Sequence, residues 1–191
     1  LRRKGVKRGE RVALYLPNIP AFALAYLAIL KAGAIAVSIN SLFKSEEVRY
    51  ILLDATPKVL FTVAELLPNV SRGEYPGLEH VVLCEGVAAG AESLDDWLAA
   101  GSGSFTAEDM GPDEPAALLY SSGTTGFPKG VTLTHNNIVT NIRTAAGCSG
   151  YKASDRLALF LPLFHVFGQN YIMNAGFEAG ATLVLFRRFV P

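Results

Sequence analysis

The residues from Leu118 to His135 carry the side chains best suited to chemistry. They read L-L-Y-S-S-G-T-T-G-F-P-K-G-V-T-L-T-H, with four hydroxyl groups around Gly123 and a lysine close behind. An apolar run leads into this stretch and a β-prone run leads out, which predicts two strands joined by a long polar loop. Because the loop offers many hydrogen-bond donors and one cation, it suits a polyphosphate.

The loop differs from the P-loop of the NTPases, which requires the pattern G-x-x-x-x-G-K-[ST]. Pro128 stands five residues after Gly123, where that pattern needs glycine, and Gly130 follows Lys129 where it needs Ser or Thr. A flexible surface turn is the plain alternative for any short stretch rich in Ser and Gly. The order of the residues argues against that alternative.

The order S-S-G-T-T-G-x-P-K-G resembles the phosphate-binding signature of the adenylate-forming superfamily, which includes acyl-CoA synthetases, aryl-CoA ligases, luciferases and peptide-synthetase adenylation domains. In that family the loop wraps the β- and γ-phosphates of ATP. The resemblance therefore implies ATP and Mg²⁺ as cofactors, CoA as co-substrate, and catalytic roles for Thr125 and Lys129. The implied nucleotide contacts are Ser121, Ser122, Gly123, Thr124, Thr125, Gly126 and Lys129.

A second motif, L-P-L-F-H-V-F-G, places His165 just past a predicted strand and among phenylalanines. A lone histidine in apolar surroundings is usually a packed core residue. However, P-L-F-H-x-x-G at this distance after the loop resembles the acyl-CoA synthetase segment that lines the carboxylate-binding pocket. The resemblance implies that His165 lies beside the reacting carboxylate and that Phe167 and Tyr171 face the acyl or aryl chain. A carboxylate is already ionised at pH 7, so His165 is expected to polarise and position it rather than act as a base.

The other basic side chains carry weaker signals. F-R-R-F-V-P resembles the basic pair that follows a strand in this family, which implies a contact between Arg188 and the phosphates of CoA. His135 stands at a predicted helix start, where a capping or loop-bracing role is expected. His80 has no chemically suggestive neighbours in the sequence and is predicted to lie on the surface.

The composition narrows the class of protein. The chain has 191 residues, half of them hydrophobic, with 17 acidic and 17 basic residues, so it shows no nucleic-acid footprint. Cys84 and Cys148 have no metal-site spacing, which favours a reducing, cytoplasmic setting, with peripheral membrane association left open. The longest uncharged apolar run, 19–30, is too short to span a bilayer, and the basic start lacks the apolar segment of a signal peptide. The oligomeric state is not indicated.

The apolar runs predict an α/β fold with mostly parallel sheets flanked by helices. A strand over 11–16, a helix over 19–32 and a strand over 34–39 form a βαβ unit, and both faces of the helix are predicted to be buried. Further strands are predicted at 59–63, 81–84, 116–120, 131–134, 157–161 and 181–186, and further helices at 45–53, 93–100, from 135 onwards and at 167–179. The expected helix caps are Ser45, Ser93 and Thr134.

Residues 2–61 also resemble the opening of an acyl-CoA synthetase, so the resemblance covers the whole chain. It implies the front part of the large N-terminal domain, divided into a first βα subdomain (1–85), a connection (86–115), and the phosphate loop with the start of the acyl-pocket subdomain (116–191). The adenine-side word Y-G-x-T-E, the ribose-binding aspartate region and the C-terminal domain of the family are not found in these residues. The 191 residues alone are therefore expected to be inactive.

The resemblance implies that the full-length enzyme activates a carboxylic acid with ATP to acyl-AMP and then forms acyl-CoA. A fatty acid is the favoured substrate. The first alternative is an aryl-CoA ligase or another adenylating enzyme. A second alternative, from a different class, is a non-catalytic nucleotide-binding module.

Overall fold

The fold is built on a seven-stranded sheet, seen in a computed structural model that describes residues 1–71, 73–121 and 128–188. The strands are β1 (Arg11–Leu14), β2 (Ile35–Ser38), β3 (Val59–Thr62), β4 (His80–Leu83), β5 (Glu92–Ser93), β6 (Pro115–Ser121), β7 (Lys129–Thr134), β8 (Arg156–Leu159) and β9 (Thr182–Leu185). The α-helices are α1 (Pro20–Lys31), α2 (Ser45–Ala55), α3 (Leu94–Ala99), α4 (His135–Ser149) and α5 (Ala175–Glu178). A π-helical segment (Phe167–Asn174) leads into α5, and short 3₁₀ turns occupy Arg2–Lys4 and Leu67–Asn69.

The strand order in the large sheet is β5-β4-β3-β1-β2-β6-β7, and β8 and β9 form a separate two-stranded parallel sheet. Within the large sheet, β6 and β7 run antiparallel while every other pair of neighbours runs parallel. The predicted βαβ unit is confirmed, because β1 and β2 are parallel neighbours joined by α1. The prediction of mostly parallel sheets flanked by helices is also confirmed.

The core lies on both faces of the large sheet because successive residues of β1 point to opposite sides. Val12 and Leu14 pack with α1 on one face, and Ala13 and Tyr15 pack with α2 on the other. All four side chains are fully buried. The chain therefore covers its central strands with helices on both sides, as parallel sheets require.

Two helix predictions need correction. Leu24 and Leu27 of α1 are 46% and 39% exposed, because the described residues cover that side of the helix incompletely. Ser45 is the first helical residue of α2 rather than its cap. The cap position is Lys44, whose backbone N–H donates to the carboxylate of the N3 residue Glu47 at 3.0 Å.

A polar cluster that was not predicted lies where β4 pairs with β5. His80 was predicted to lie on the surface without neighbours, but its side chain is only 21% exposed and has close partners. Its Nδ1 lies 2.6 Å from Oε1 of Glu92, and its ring meets the edge of Trp97 at 5.5 Å between centroids. The parallel pairing of β4 with β5 brings these residues together.

No helix in the described part of the chain is long and apolar enough to cross a membrane. Cys84 and Cys148 are both free thiols.

Candidate active site

The phosphate-loop prediction centres on the hairpin of β6 and β7. Ser121 and Lys129 are its last paired residues, and both are exposed. The two predicted strands are confirmed as β6 and β7. The predicted contacts at Ser122, Gly123, Thr124, Thr125 and Gly126 lie outside the described residues.

The base of the hairpin is fixed by Tyr120, the residue before Ser121. Its hydroxyl donates a hydrogen bond of 2.5 Å to Oδ2 of Asp54, near the end of α2. Burial raises the pKa of Tyr120, and the bond to Asp54 raises it further, so the phenol keeps its proton. The ring lies across Gly130 on the partner strand, where an added Cβ would stand 3.2 Å from Cζ of Tyr120.

The hairpin opens at the edge of the sheet where the parallel strands end. β2 and β6 run side by side, so the residues that follow β2 lie next to Ser121. In open α/β sheets this carboxyl edge is the usual place for ligands. A cleft of about 380 Å³ lies there, and its lining includes Asn40, Tyr120, Ser121, Phe164 and His165.

The structure therefore places His165 and Ser121, from the two separate motifs, in one cleft. The side chain of His165 is exposed. The backbone N–H of Phe167 donates to its Nδ1 at 3.2 Å. Because Nδ1 accepts this bond, the neutral imidazole carries its hydrogen on Nε2, which makes Nε2 a donor.

Phe167 and Tyr171 lie on the π-helical segment directly after His165. Their rings stack at 4.6 Å between centroids, and the Tyr171 hydroxyl accepts a hydrogen bond of 2.8 Å from Ser149. The two rings are not among the described residues that line the cleft of Ser121 and His165. Their contact with an acyl or aryl chain stays a prediction.

Arg188 lines a second cleft of about 640 Å³, together with Arg187, Lys44 and Glu65. Phe164 lines both clefts, so the two adjoin each other. Nη2 of Arg188 lies 3.1 Å from Oε1 of Glu65. The guanidinium is 71% exposed, so this ion pair is open to competition from an anion in solution.

His135 is the first residue of α4, as predicted, and its capping or loop-bracing role stays a prediction. Its backbone N–H donates to the carbonyl of Glu114 at 3.0 Å, while Thr134 caps the helix through a bond from Asn137 at 3.2 Å. Burial lowers the pKa of His135. Within residues 1–71, 73–121 and 128–188, its buried Nε2 has no hydrogen-bond partner.

Within the described ranges, no three His, Cys, Asp or Glu side chains come close enough together to hold a metal ion. In nucleotide sites Mg²⁺ is usually bound by one or two carboxylates together with substrate phosphates, so Mg²⁺ stays a prediction.

Two buried amides, Asn18 and Gln169, bond the backbone just before His165, and neither was predicted from the sequence. Both are buried polar side chains with long-range partners. Each is a polar residue next to an apolar run, and this was the only available sign of a buried amide. The partners could not be predicted, because Leu163 is 145 residues from Asn18 and Ser38 is 131 residues from Gln169.

Comparison with known proteins identifies the family. The sequence profile of the family described as AMP-binding enzyme matches residues 1–191. A 4-coumarate–CoA ligase of Oryza sativa subsp. japonica is 34% identical over 193 residues, which cover 99% of this chain and 35% of the relative. A long-chain-fatty-acid–CoA ligase of Mycobacterium tuberculosis is 32% identical over 189 residues, which cover 97% of this chain and 36% of the relative.

Solved structures give the same result. An anthranilate CoA ligase in complex with anthranoyl-AMP matches with a TM-score of 0.90 and 34% identity, over 98% of this chain and 37% of that one. A long-chain-fatty-acid-CoA ligase from Archaeoglobus fulgidus matches with a TM-score of 0.90 and 30% identity, over 99% and 37%. The chain spans 35–36% of the length of these curated relatives. The resemblance to adenylate-forming enzymes is thereby confirmed, and the chain belongs to the AMP-binding enzyme family.

Proposed function

We propose that this chain supplies the phosphate side and the acid side of a site that activates a carboxylic acid with ATP and transfers the acyl group to CoA. The observation that carries the proposal is the shared cleft of Ser121 and His165 at the carboxyl edge of the sheet. The relatives named as CoA ligases support it. Because the chain spans 35–36% of those relatives, we propose that turnover needs more residues than these 191.

In the first step, a carboxylate oxygen attacks the α-phosphorus of ATP. The new P–O bond gives acyl-AMP, and the bond to the β-phosphate breaks so that pyrophosphate leaves. Two anions must approach each other, so hydrogen-bond donors and cations control the barrier. Lys129 and the loop that begins at Ser121 hold the β- and γ-phosphates in this proposal.

His165 acts on the acid in the same step. Its Nε2–H is available as a donor, because Nδ1 is already bonded to the N–H of Phe167. A donor in this position orients one carboxylate oxygen and leaves the other free to attack. No proton needs to be removed, since the acid is already ionised.

In the second step, the thiol of CoA attacks the acyl carbon and gives its proton to solvent. The new C–S bond replaces the C–O bond to the phosphate, so AMP leaves with that oxygen. CoA carries several phosphates, which suit an arginine. We assign Arg188 to that contact because it lines the cleft next to the His165 cleft. An incoming phosphate would compete with Glu65 for its guanidinium.

The acid is proposed to carry an apolar tail, with a fatty acid favoured and an aryl acid as the alternative. Phe164, Phe167 and Tyr171 are aromatic side chains within six residues of His165 in the sequence, and they suit either class. We also propose that the chain is divided into a first subdomain (1–85), a connection (86–115) and the start of the acyl-pocket subdomain (116–191), and that the protein is cytoplasmic.

Acid-dependent ATP–pyrophosphate exchange tests the proposal. The assay uses the polypeptide encoded by the whole gene and compares short, long and aromatic carboxylic acids. Exchange with one class of acid is the expected result, and it would also identify the substrate class. No exchange with any acid, from folded protein that still binds ATP, would favour a nucleotide-binding module instead.

A further inference from the structure

The backbone just before His165 is held by buried side chains from distant parts of the chain. Asn18 donates from Nδ2 to the carbonyl of Leu161 at 2.9 Å, and its Oδ1 accepts the N–H of Leu163 at 2.8 Å. Asn18 is also bonded to the carbonyl of Phe186, at 3.3 Å. The stretch from Leu161 to His165, called the His165 turn, is therefore attached to the loop between β1 and α1.

Gln169 attaches the same turn to a second strand of the sheet. Its side chain is fully buried. Nε2 donates to Oγ of Ser38 at 2.9 Å and to the carbonyl of Leu163 at 3.1 Å. Ser38 is the last residue of β2, two residues before Asn40 in the cleft lining. One amide group thus joins the His165 turn to the strand end beside the cleft.

Gln169 is also close to His165 along the chain. Its backbone N–H donates to the carbonyl of His165 at 3.0 Å, so the two residues are one helical turn apart. Gly168 lets the helix approach the turn closely, since an added Cβ would lie 2.4 Å from the carbonyl oxygen of Pro162. The residues just before and just after His165 are therefore packed closely against the first turn of the π-helical segment.

The buried amide carries a cost that an apolar side chain would avoid. Among the residues that the structure describes, Oε1 of Gln169 has no hydrogen-bond partner although it is buried. A buried acceptor without a partner is unfavourable, and methionine would fill a similar volume without that penalty. A polar group retained at such a position points to a positioning role rather than to packing alone.

We propose that Gln169 is a positioning residue for His165. By joining Leu163 to Ser38, it holds the His165 turn against the end of β2 and keeps the imidazole on the cleft shared with Ser121. It does not touch the reacting atoms. The proposal rests on the proposed function of His165, but its structural part can be tested separately.

The first test measures the imidazole itself, in the 191-residue chain. Long-range ¹H–¹⁵N spectra distinguish the two neutral tautomers, and His165→Ala identifies the signal. The unchanged chain is expected to show the Nε2–H tautomer for neutral His165. Gln169→Met is expected to give a mixture of tautomers, because the turn that presents His165 to the N–H of Phe167 is released.

Asn174→Leu is the matched control. Asn174 is a buried amide on the same segment, but it bonds Asn170 and Tyr26 rather than the His165 turn. This variant is expected to lower the melting temperature and leave the His165 tautomer unchanged. Equal changes in the two variants, or an unchanged tautomer in Gln169→Met, would overturn the proposal.

The second test measures exchange in the polypeptide encoded by the whole gene. Gln169→Met is expected to lower acid-dependent exchange about tenfold to a hundredfold, mainly through kcat and the KM for the acid, with the KM for ATP within about twofold. A normal rate, or a loss confined to ATP binding, would reject the role. If Gln169→Met does not fold, the same exchange assay is made on Ser38→Ala. This variant removes the Ser38 hydroxyl that accepts from Gln169 and leaves Gln169 in place. If the unchanged protein shows no ATP–pyrophosphate exchange, that result counts against the proposed function. The tautomer measurement would still test whether Gln169 positions His165.

Discussion

Tyr120 and Asp54, 66 residues apart in the sequence, join the hairpin of β6 and β7 to helix α2 by one hydrogen bond of 2.5 Å between oxygens. The bond lies next to Ser121, where the hairpin gives way to the loop. It therefore fixes the strand that leads into the proposed ATP site. The mobility of that strand end should depend on a side chain with no direct contact with the nucleotide.

Removing this bond should weaken the fold by a small, measurable amount. Tyr120→Phe deletes the hydroxyl and keeps the ring, so we expect a loss of about 1 kcal/mol in the free energy of unfolding. Urea denaturation followed by circular dichroism measures it. Tyr151→Phe, at a tyrosine whose ring packs against Tyr171 outside the hairpin, gives a comparison in which the Tyr120 bond is intact. If Tyr120→Phe is as stable as the unchanged chain, the bond does not hold the hairpin.

Gly130 should resist substitution because the Tyr120 ring lies against it. An alanine Cβ would stand 3.2 Å from Cζ and 3.3 Å from Cε1, and the bond to Asp54 limits how far the ring can retreat. We expect Gly130→Ala to cost about 1–3 kcal/mol of unfolding free energy. A double-mutant cycle with Tyr120→Ala should remove most of that cost. Additive losses in the double mutant would show that the ring is not the cause.

The polar cluster around Glu92 should make stability depend on pH in the acid range. Partial burial raises the pKa of Glu92, but hydrogen bonds from Lys4, Trp97 and His80 outweigh it and lower the pKa from 4.5 to about 2. Between these values the unfolded chain binds more protons than the folded chain, so unfolding free energy falls as pH falls from about 4.5 through about 2. Above pH 4.5 the contribution of Glu92 is fully present.

Thermal unfolding between pH 6 and pH 2 measures this effect. Glu92→Gln should lower the melting temperature at pH 6 and flatten its decline below pH 4.5. Glu178→Gln is the matched control, since Glu178 is an exposed carboxylate on α5, outside the cluster around Glu92. An equally steep acid decline in Glu92→Gln would assign the pH dependence to other carboxylates.

The two cysteines should differ sharply in reactivity. Burial raises the pKa of Cys84 to about 12, and the nearby charge of Glu85 adds to this shift. Cys148 is exposed on α4. Because the thiolate is the reactive form, a disulfide reagent should modify Cys148 at once and Cys84 only after unfolding. The absorbance of the thiol that the reagent releases measures how many cysteines react in each phase. Cys148→Ser should abolish the fast phase, and a fast phase that survives would show that Cys84 is accessible.

The fold was predictable wherever the determining residues are close in sequence. Thr134 was identified as a cap from its position before α4, and Ser93 was identified in the same way for α3. The Ser45 prediction was wrong because α2 begins at Ser45 itself, and the carboxylate of Glu47 bonds the N–H of Lys44, the residue before the helix. The sequence pattern alone did not distinguish a helix that begins at Ser45 from one that begins just after it.

The site was predictable only in part, for a different reason. The motifs around Ser121 and His165 were visible, but their common cleft depends on β6 pairing with β2 and on the attachment of the His165 turn. His80 was misplaced because its partner Glu92 lies on the neighbouring strand. Gln169 was missed because its partner Ser38 is 131 residues away. Such pairs follow from the arrangement of strands, which single residues do not encode.

The last prediction concerns Lys129, the cation at the start of β7. It is exposed at the end of the hairpin, so Lys129→Ala should leave the melting temperature nearly unchanged. If Lys129 neutralises the phosphates as proposed, the variant should lose on the order of one to a few kcal/mol of transition-state stabilisation in ATP–pyrophosphate exchange. The exchange is measured in the polypeptide encoded by the whole gene. Lys152→Ala, at an exposed lysine outside both clefts, controls for the loss of one surface charge. A normal exchange rate with a lowered melting temperature would assign Lys129 to the fold and remove it from the proposed ATP site.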